Sequence, residues 1–428
     1  MQKILDIASD NRRGLARGIY AICTAHPLVL KAALLQGLKD NTPVLIEATA
    51  NQVNQFGGYT GMQPADFIPF VNAIAETVGF DRQQIIFGGD HLGPVCWVSE
   101  SAEQAMAKAK DLIRAYVAAG FKKIHLDTSM RCADDTGPLT DATVAERAAA
   151  LCAVAEKTAL AVFGCAELVY VVGTEVPPPG GAAEAIDDLQ VTGCEDVLAT
   201  VEAHRKAFFQ RDLSQAWERV VGLVVQPGVE FDHTSVHDYR PDDAKDLAAL
   251  LSKIPNLVFE AHSTDYQPAI AYTHLIADHF AILKVGPQLT YALREALFSL
   301  SHIEDELITK EKCSGLRQVC EDIMLASPEH WANYYPKQEP QGRLYRRYSY
   351  SDRIRYYWVK PEIEQAVTCL MNNLTESSIP EPLLAQYLPQ EYQAVRSKVL
   401  KPTAQALVLF HIMQVIDVYA KACWKQEV

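Results

Sequence analysis

The sequence predicts an α/β fold, a (β/α)8 TIM barrel with a helical C-terminal extension, on three observations. Eight short β-rich apolar runs recur between residues 18 and 287, most of them end in an acid, an imidazole or a turn, and helix-like stretches separate them.

The first run is GIYAICTAH, residues 18 to 26, and PVLIEAT follows at 43 to 49. IIFGGDH occupies 85 to 91, KKIHLDTS 122 to 129 and LVYVVGTE 168 to 175. VVGLVVQPG at 220 to 228, LVFEAHS at 257 to 263 and FAILKVGP at 280 to 287 complete the series. Their apolarity is continuous rather than alternating, as strands covered on both faces require. Stretches such as SAEQAMAKAKDLIRAYVAAG supply the crossovers that parallel pairing needs. A doubly wound sheet built for a dinucleotide would carry a G-x-G-x-x-G turn after an early strand, and the chain has none. Residues 1–300 are therefore assigned to the barrel. The helical patterns of SHIEDELITKEKCSGLRQVCEDIMLA and PTAQALVLFHIMQVIDVYAKACW assign 301–428 to an extension packed on it.

Bulk properties narrow the function. With 49% hydrophobic and 21% charged residues the chain can bury a large core and is not a disordered segment. A net charge of −14 and a pI of about 5.3 repel polyanions, so no nucleic-acid partner is expected. The Arg- and Tyr-rich RLYRRYSYSDRIRYYW, residues 343 to 358, is accordingly read as a packing or subunit contact in an oligomer. The ten cysteines are scattered, without a C-x-x-C pair, which fits reduced thiols in a cytosol-like compartment. The N-terminal MQKILDIASDNRRGLARG lacks the apolar stretch of a signal peptide. No apolar run reads as long enough to cross a bilayer, so a soluble cytoplasmic protein without membrane contact is expected.

In such a barrel the C-terminal strand ends converge on one mouth, where chemistry is assembled. The strand ends here offer His26, Glu47, Asp90, His91, His125, Asp127, Glu175, Gln226, Glu260, His262 and Lys284. A single strand-end acid or imidazole is more often a helix cap or loop anchor than a catalyst, but this many on one rim point to a shared site. His91, His262 and His233, the last in GVEFDHTS just past the sixth run, offer three nitrogens, the arrangement a catalytic divalent metal such as Zn²⁺ takes when it keeps a position open. Asp90 is the natural proton carrier beside it, with Glu175 and Asp127 as further candidate acid–base groups. Glu47, Ser263, Thr264, Lys284 and Gly286 are candidate substrate or phosphate contacts, because the loops after strands seven and eight are the usual phosphate position in barrels. Ser263, Thr264 and Gly286 fit helix caps equally well, and Lys284 also fits a Schiff-base lysine. The loop GTEVPPPGGA after the fifth run either presents Glu175 to the site or only turns the chain.

LIEATANQVNQFGGYTGM, GGDHLGP, AGFKKIHLDTSM, GTEVPPPGG, VVQPGVEFDH, FEAHSTDYQ and HFAILKVGP, with the later SYSDRIRYYW and QYLP, closely resemble the GatZ/KbaZ family of tagatose-bisphosphate aldolase subunits. The resemblance covers nearly the whole chain. It implies a barrel akin to the class II, metal-dependent aldolases, in which an Asp-His pair ending a strand supplies an acid and a zinc ligand; Asp90 and His91 match that pair and His262 a later ligand. His233 stands several residues beyond the strand that would carry the middle ligand. The family further implies an accessory subunit that supports the activity and stability of a catalytic class II aldolase subunit in galactitol or N-acetylgalactosamine-type sugar catabolism. Some relatives point instead to 4-epimerisation of fructose or tagatose 6-phosphate by the chain alone.

Overall fold

Each of the eight runs forms a strand in the computed structural model, which describes residues 1–176 and 189–424. They are β1 (Ile19–Ile22), β2 (Val44–Thr49), β3 (Ile85–Leu92), β4 (Lys123–Leu126), β5 (Val169–Val172), β6 (Val220–Val224), β7 (Val258–Ala261) and β8 (Ile282–Val285). Neighbours in sequence pair in parallel, and β8 closes on β1 with Ile19 opposite Ile282 and Ile22 opposite Val285. The result is a (β/α)8 barrel, as the sequence predicts. Between β6 and β7 lies a two-residue antiparallel ribbon, Glu230–Phe231 with Val236–His237. Of the loop GTEVPPPGGA, residues 177–182 lie outside the described residues.

Local chemistry fixes the crossovers. In the helix Ala102–Ala119 the Ser101 hydroxyl accepts the Gln104 N–H at its start, and Gly120, at φ +107°, ends it in the left-handed conformation that glycine adopts without steric cost. Alternate strand residues face the interior, except where the register shifts between β3 and β4 and between β5 and β6. The lowest layer, at the N-terminal strand ends, is apolar: Ile19, Leu45, Ile86, Val169, Val221, Val258 and Ile282. The helix Gln2–Arg12 plugs that end by burying Ile4, Ile7 and Ala8 against it, each isoleucine contributing about 1.5–3 kcal/mol of transfer energy.

The division expected at residue 300 falls inside the helix Pro287–Leu307. Beyond it, the extension wraps back. Its last helix, Ala404–Trp424, packs on the helices Pro27–Asp40, Ala269–Ala277 and Pro287–Leu307. This helix corrects one expectation, because at 21 residues and mean hydropathy 1.5 it is long and apolar enough to cross a bilayer. Here it belongs to the core: Leu407, Ile412, Ile416 and Tyr419 are fully buried, and the Tyr419 hydroxyl donates to the Thr264 carbonyl at 2.9 Å. The Arg/Tyr-rich segment packs within the chain as well. Arg346 donates to Glu321 at 2.9 Å and lies 4.8 Å from the Trp331 ring centre, and Arg353 lies 3.4 Å from that of Tyr334. All ten cysteines are free thiols.

Candidate active site

The middle interior layer is charged. Strand parity turns Glu47 of β2, Lys123 of β4, Glu260 of β7 and Lys284 of β8 inward, all buried. Room for them comes from Gly88 on β3, where a Cβ would stand 2.7 Å from a Glu47 carboxylate oxygen. The Lys123 ammonium sits 2.7 Å from Glu47 and 2.6 Å from Glu260, at ion-pair distance although off hydrogen-bond direction. Lys284 pairs with Glu47, and with Asp90 at 2.9 Å. Burial raises the Glu260 carboxyl, but the Lys123 charge and a hydrogen bond from His262 outweigh it and bring its pKa to about 2. Burial lowers Lys284 to about 8, within reach of proton exchange near neutral pH.

Above this layer three imidazoles face one another. The ring centres of His91, His125 and His262 are 5.3, 5.1 and 5.2 Å apart. His125 places Nδ1 2.8 Å from Asp90, His262 places Nε2 3.0 Å from Glu260, and His91 places Nδ1 2.8 Å from Asp127. His91 adopts φ +50°, a left-handed conformation costing about 1–2 kcal/mol in a non-glycine residue, which the end of β3 imposes where it redirects the chain. Two residues on, a Cβ on Gly93 would fall 1.6 Å from the Asp127 carbonyl, so only glycine lets β3 and β4 approach there. Burial lowers the His91 pKa, but the Asp90 charge and the Asp127 hydrogen bond prevail and lift it to about 9. Burial raises Asp127, but its bond to His91 holds it at about 2. Asp90 is held well below the usual carboxylate range: burial opposes this, and the neighbouring imidazoles overcome it. The Cys23 thiol, 3.9 Å from Asp90, is pushed up to about 12 by burial and stays neutral.

These residues fit a divalent metal. Donor atoms of Asp90, His125, Glu260 and His262 all lie within 4.8 Å of one another, and His125 Nε2 is buried with no hydrogen-bond partner. Glu47, Asp90, Asp127 and Glu260 supply four carboxylates against the two ammonium groups of Lys123 and Lys284 and the protonated ring of His91, a negative surplus that favours a bound cation. Asp127, on His91 Nδ1, fixes the ring so that Nε2 faces the cluster, 3.7 Å from Asp90.

The expected site residues are placed unequally. Asp90, His91, His262 and Lys284 come together and line one open cavity with Ser263 and the Gly286 backbone. His233 does not join them: its Nδ1 lies 3.0 Å from the Ser351 hydroxyl and its ring packs on Tyr335 and Tyr345, so it anchors the extension. The third imidazole of the cluster is His125. Asp127 reaches the site only through His91 and also accepts the Ser129 hydroxyl at 2.7 Å. Glu175 is exposed, does not line the cavity, and accepts the Thr192 hydroxyl at 2.5 Å. Glu47 lies beneath the cavity in the ion-pair layer, where its charge would repel a phosphate. Thr264 is turned away, donating to the Lys284 carbonyl at 2.7 Å. His26 caps the helix Pro27–Asp40 and Gln226 accepts two turn N–H groups, as lone strand-end residues commonly do. Lys123 and Arg355 are residues that sequence reasoning missed. Lys123 carried a signal, since it shares strand parity with His125.

The family model "D-tagatose-1,6-bisphosphate aldolase subunit GatZ/KbaZ-like" matches residues 4–424. A solved structure from Sinorhizobium meliloti 1021, described as a "probable tagatose 6 phosphate kinase", is 48% identical with TM-score 0.88, covering 95% of this chain and 100% of that one. The YdjI aldolase from Escherichia coli K12 matches at 12% identity and TM-score 0.44, over 71% of this chain and 86% of that chain. A fructose-bisphosphate aldolase from Campylobacter jejuni matches at 14% and 0.43, over 87% and 91%.

Proposed function

Because the chain belongs to the GatZ/KbaZ-like family of D-tagatose-1,6-bisphosphate aldolase subunits, we propose that it is the accessory subunit of such an aldolase. In this reading it binds a catalytic class II aldolase subunit and supports that partner's activity and stability in the cytosolic breakdown of galactitol- or N-acetylgalactosamine-type sugars. The whole-chain family match, residues 4–424, carries the reading. The test is to assay the partner on D-tagatose 1,6-bisphosphate with and without this chain. Added chain raises its specific activity and slows its thermal inactivation; an unchanged rate and half-life sink the proposal.

One observation favours a second reading, a metal-dependent 4-epimerase of fructose or tagatose 6-phosphate acting alone. The mouth gathers Asp90, His91, His262 and Lys284 around one cavity, with His125 buried against both rings, a set of buried charges that a purely supporting subunit does not need. His125, His262, Asp90 and Glu260 would hold the metal, with His91 beside them. A Zn²⁺ held there would polarise a ketone and stabilise the negative charge that develops on its oxygen. Loss of the C4 hydroxyl proton breaks the C3–C4 bond, and re-addition to the opposite face of the aldehyde with return of the proton gives the epimer. Lys284, lowered to about 8 by burial and lining the cavity, would hold and return that proton. The test incubates the chain alone with fructose 6-phosphate and Zn²⁺, and no tagatose 6-phosphate above the no-enzyme control ends this reading. A kinase activity, which the name of the Sinorhizobium relative suggests, is disfavoured because the sequence has no Walker-type or kinase-type glycine loop.

A further inference from the structure

The helix Pro287–Leu307 begins where barrels usually hold phosphate, yet its N-terminal N–H groups are already bonded. The Asp265 carboxylate accepts Gly286 N–H at 3.1 Å and Gln288 N–H at 2.8 Å. An anion there would meet a carboxylate. The cavity has another cation, however, and it comes from the extension.

The 3-10 turn Arg353–Tyr357 lies across the mouth, and Arg355 and Tyr356 line the same cavity as His91, His262 and Lys284. The guanidinium is pre-oriented: Nη1 donates to the carbonyls of Ser351 and, at 3.2 Å, Asp352, while Nη2 donates to the Tyr356 hydroxyl at 3.0 Å. Among the described residues its bonds run to neutral acceptors and none to a carboxylate. The charges of Asp265 and Asp352 reach it, but each carboxylate makes its hydrogen bonds elsewhere, Asp265 to the helix start and Asp352 to the Thr290 hydroxyl at 2.6 Å. A planar fork held in this way keeps donors to spare for an oxyanion. The segment is fastened by His233, whose carbonyl accepts Tyr350 N–H at 3.0 Å and whose ring contacts Ser351. Tyr266 adds a third tie, donating to the Tyr350 carbonyl at 2.7 Å.

We infer that Arg355 binds the phosphate of a sugar-phosphate ligand whose carbonyl end rests on the His91–His262–Lys284 floor. The inference builds on the sugar-phosphate substrate proposed above. The extension thereby completes the binding site in addition to bracing the barrel.

Calorimetric titration of the full chain, with D-tagatose 6-phosphate, D-tagatose and inorganic phosphate as ligands, tests this in the parent, R355M and R355K. The parent binds the phosphorylated sugar more tightly than the free one. R355M weakens only the phosphorylated sugar and inorganic phosphate, by roughly 10- to 100-fold, and R355K falls between. A folded R355M that binds tagatose 6-phosphate within about twofold of the parent overturns the assignment. Should the Met variant lose its fold, R355Q is held to the same threshold. A parent that binds tagatose 6-phosphate no better than tagatose refutes the sugar-phosphate reading and this inference together, a pattern distinct from an insensitive R355M.

Discussion

Strands β5 and β6 turn Val169, Val171, Val221 and Val224 into the barrel, whereas β2, β3, β4, β7 and β8 turn in Glu47, Asp90, Lys123, His125, Glu260, His262 and Lys284. Both walls are built on the same parallel ladder and are equally buried. The valine wall needs only volume and shape. In the charged wall each ion gives up hydration worth several kcal/mol and is held by partners rather than by solvent. A barrel does not require that wall in order to fold, so its residues are best explained by what happens at the mouth.

The sharpest way to break this contrast is to compare one residue from each wall. Lys123→Met leaves Glu47 and Glu260 facing each other without their shared ammonium and is expected to cost about 3–5 kcal/mol. Val171→Ala leaves a small cavity and is expected to cost about 1–2 kcal/mol. Denaturant midpoints of the two variants decide it: a Lys123→Met no worse than Val171→Ala would mean that the ion pairs carry no special weight.

A second comparison separates the imidazoles. Divalent metal bound per chain, measured by plasma mass spectrometry after loading and dialysis, should fall to about a tenth or less in His125→Ala and in His262→Ala, the loss that follows from removing one ligand of a small set. His233→Ala should keep the parent's metal content and instead loosen the extension, seen as faster proteolysis near residues 343–358. Metal lost equally in all three would return His233 to the ligand set.

The same contrast shows how much was legible in the sequence. Continuous apolar runs placed every barrel strand, because burial on both faces writes itself into composition. Parity along a strand also carried information: Lys123, His125 and Asp127 alternate, as do Glu260 and His262, and inward pointing follows from that spacing. Lys123 is hard to recognise in the sequence because two adjacent lysines at the start of a run look like a solvated strand end. His233 looked like a ligand because imidazole near a strand end is ambiguous until tertiary contacts show Tyr335 and Tyr345 around it. Arg355 lies in the conspicuous Arg/Tyr-rich segment, but nothing local puts it at the mouth, since the turn that carries it arrives there through contacts more than eighty residues apart, such as Tyr266 with Tyr350.

A glycine tests the charged wall with a smaller change. The Cβ of Gly88→Ala would press on the Glu47 carboxylate and move it off Lys123 and Lys284. The expected cost is about 1–3 kcal/mol, the range for overpacking a filled core, with reduced metal content as the second readout. An alanine variant with unchanged midpoint and metal would show that Glu47 has room the structure does not reveal.

The smallest expected effect comes from a charged group outside the barrel, which sets the scale for the buried ones. His411, on the last helix, lies 2.9 Å from Glu391 and 3.4 Å from Glu295, tying that helix to two others. Burial lowers its pKa, but the hydrogen bonds and charges of these two glutamates win and raise it to about 9. A folded pKa above the unfolded value of about 6.5 means that the protonated ring stabilises the fold. The contribution is therefore complete below pH ~6.5 and disappears as pH rises through about 9. Its size should be on the order of 1–2 kcal/mol, because Glu295 is partly exposed and solvent screens its pairing with the ring. His411→Gln should thus lower the melting temperature by a few degrees at pH 6 and leave it nearly unchanged at pH 9.5, where the parent ring is also neutral. Subtracting variant from parent at each pH removes the titration of the barrel groups common to both. A difference that grew with pH would reverse the sign and show that the neutral ring is the one the glutamates hold.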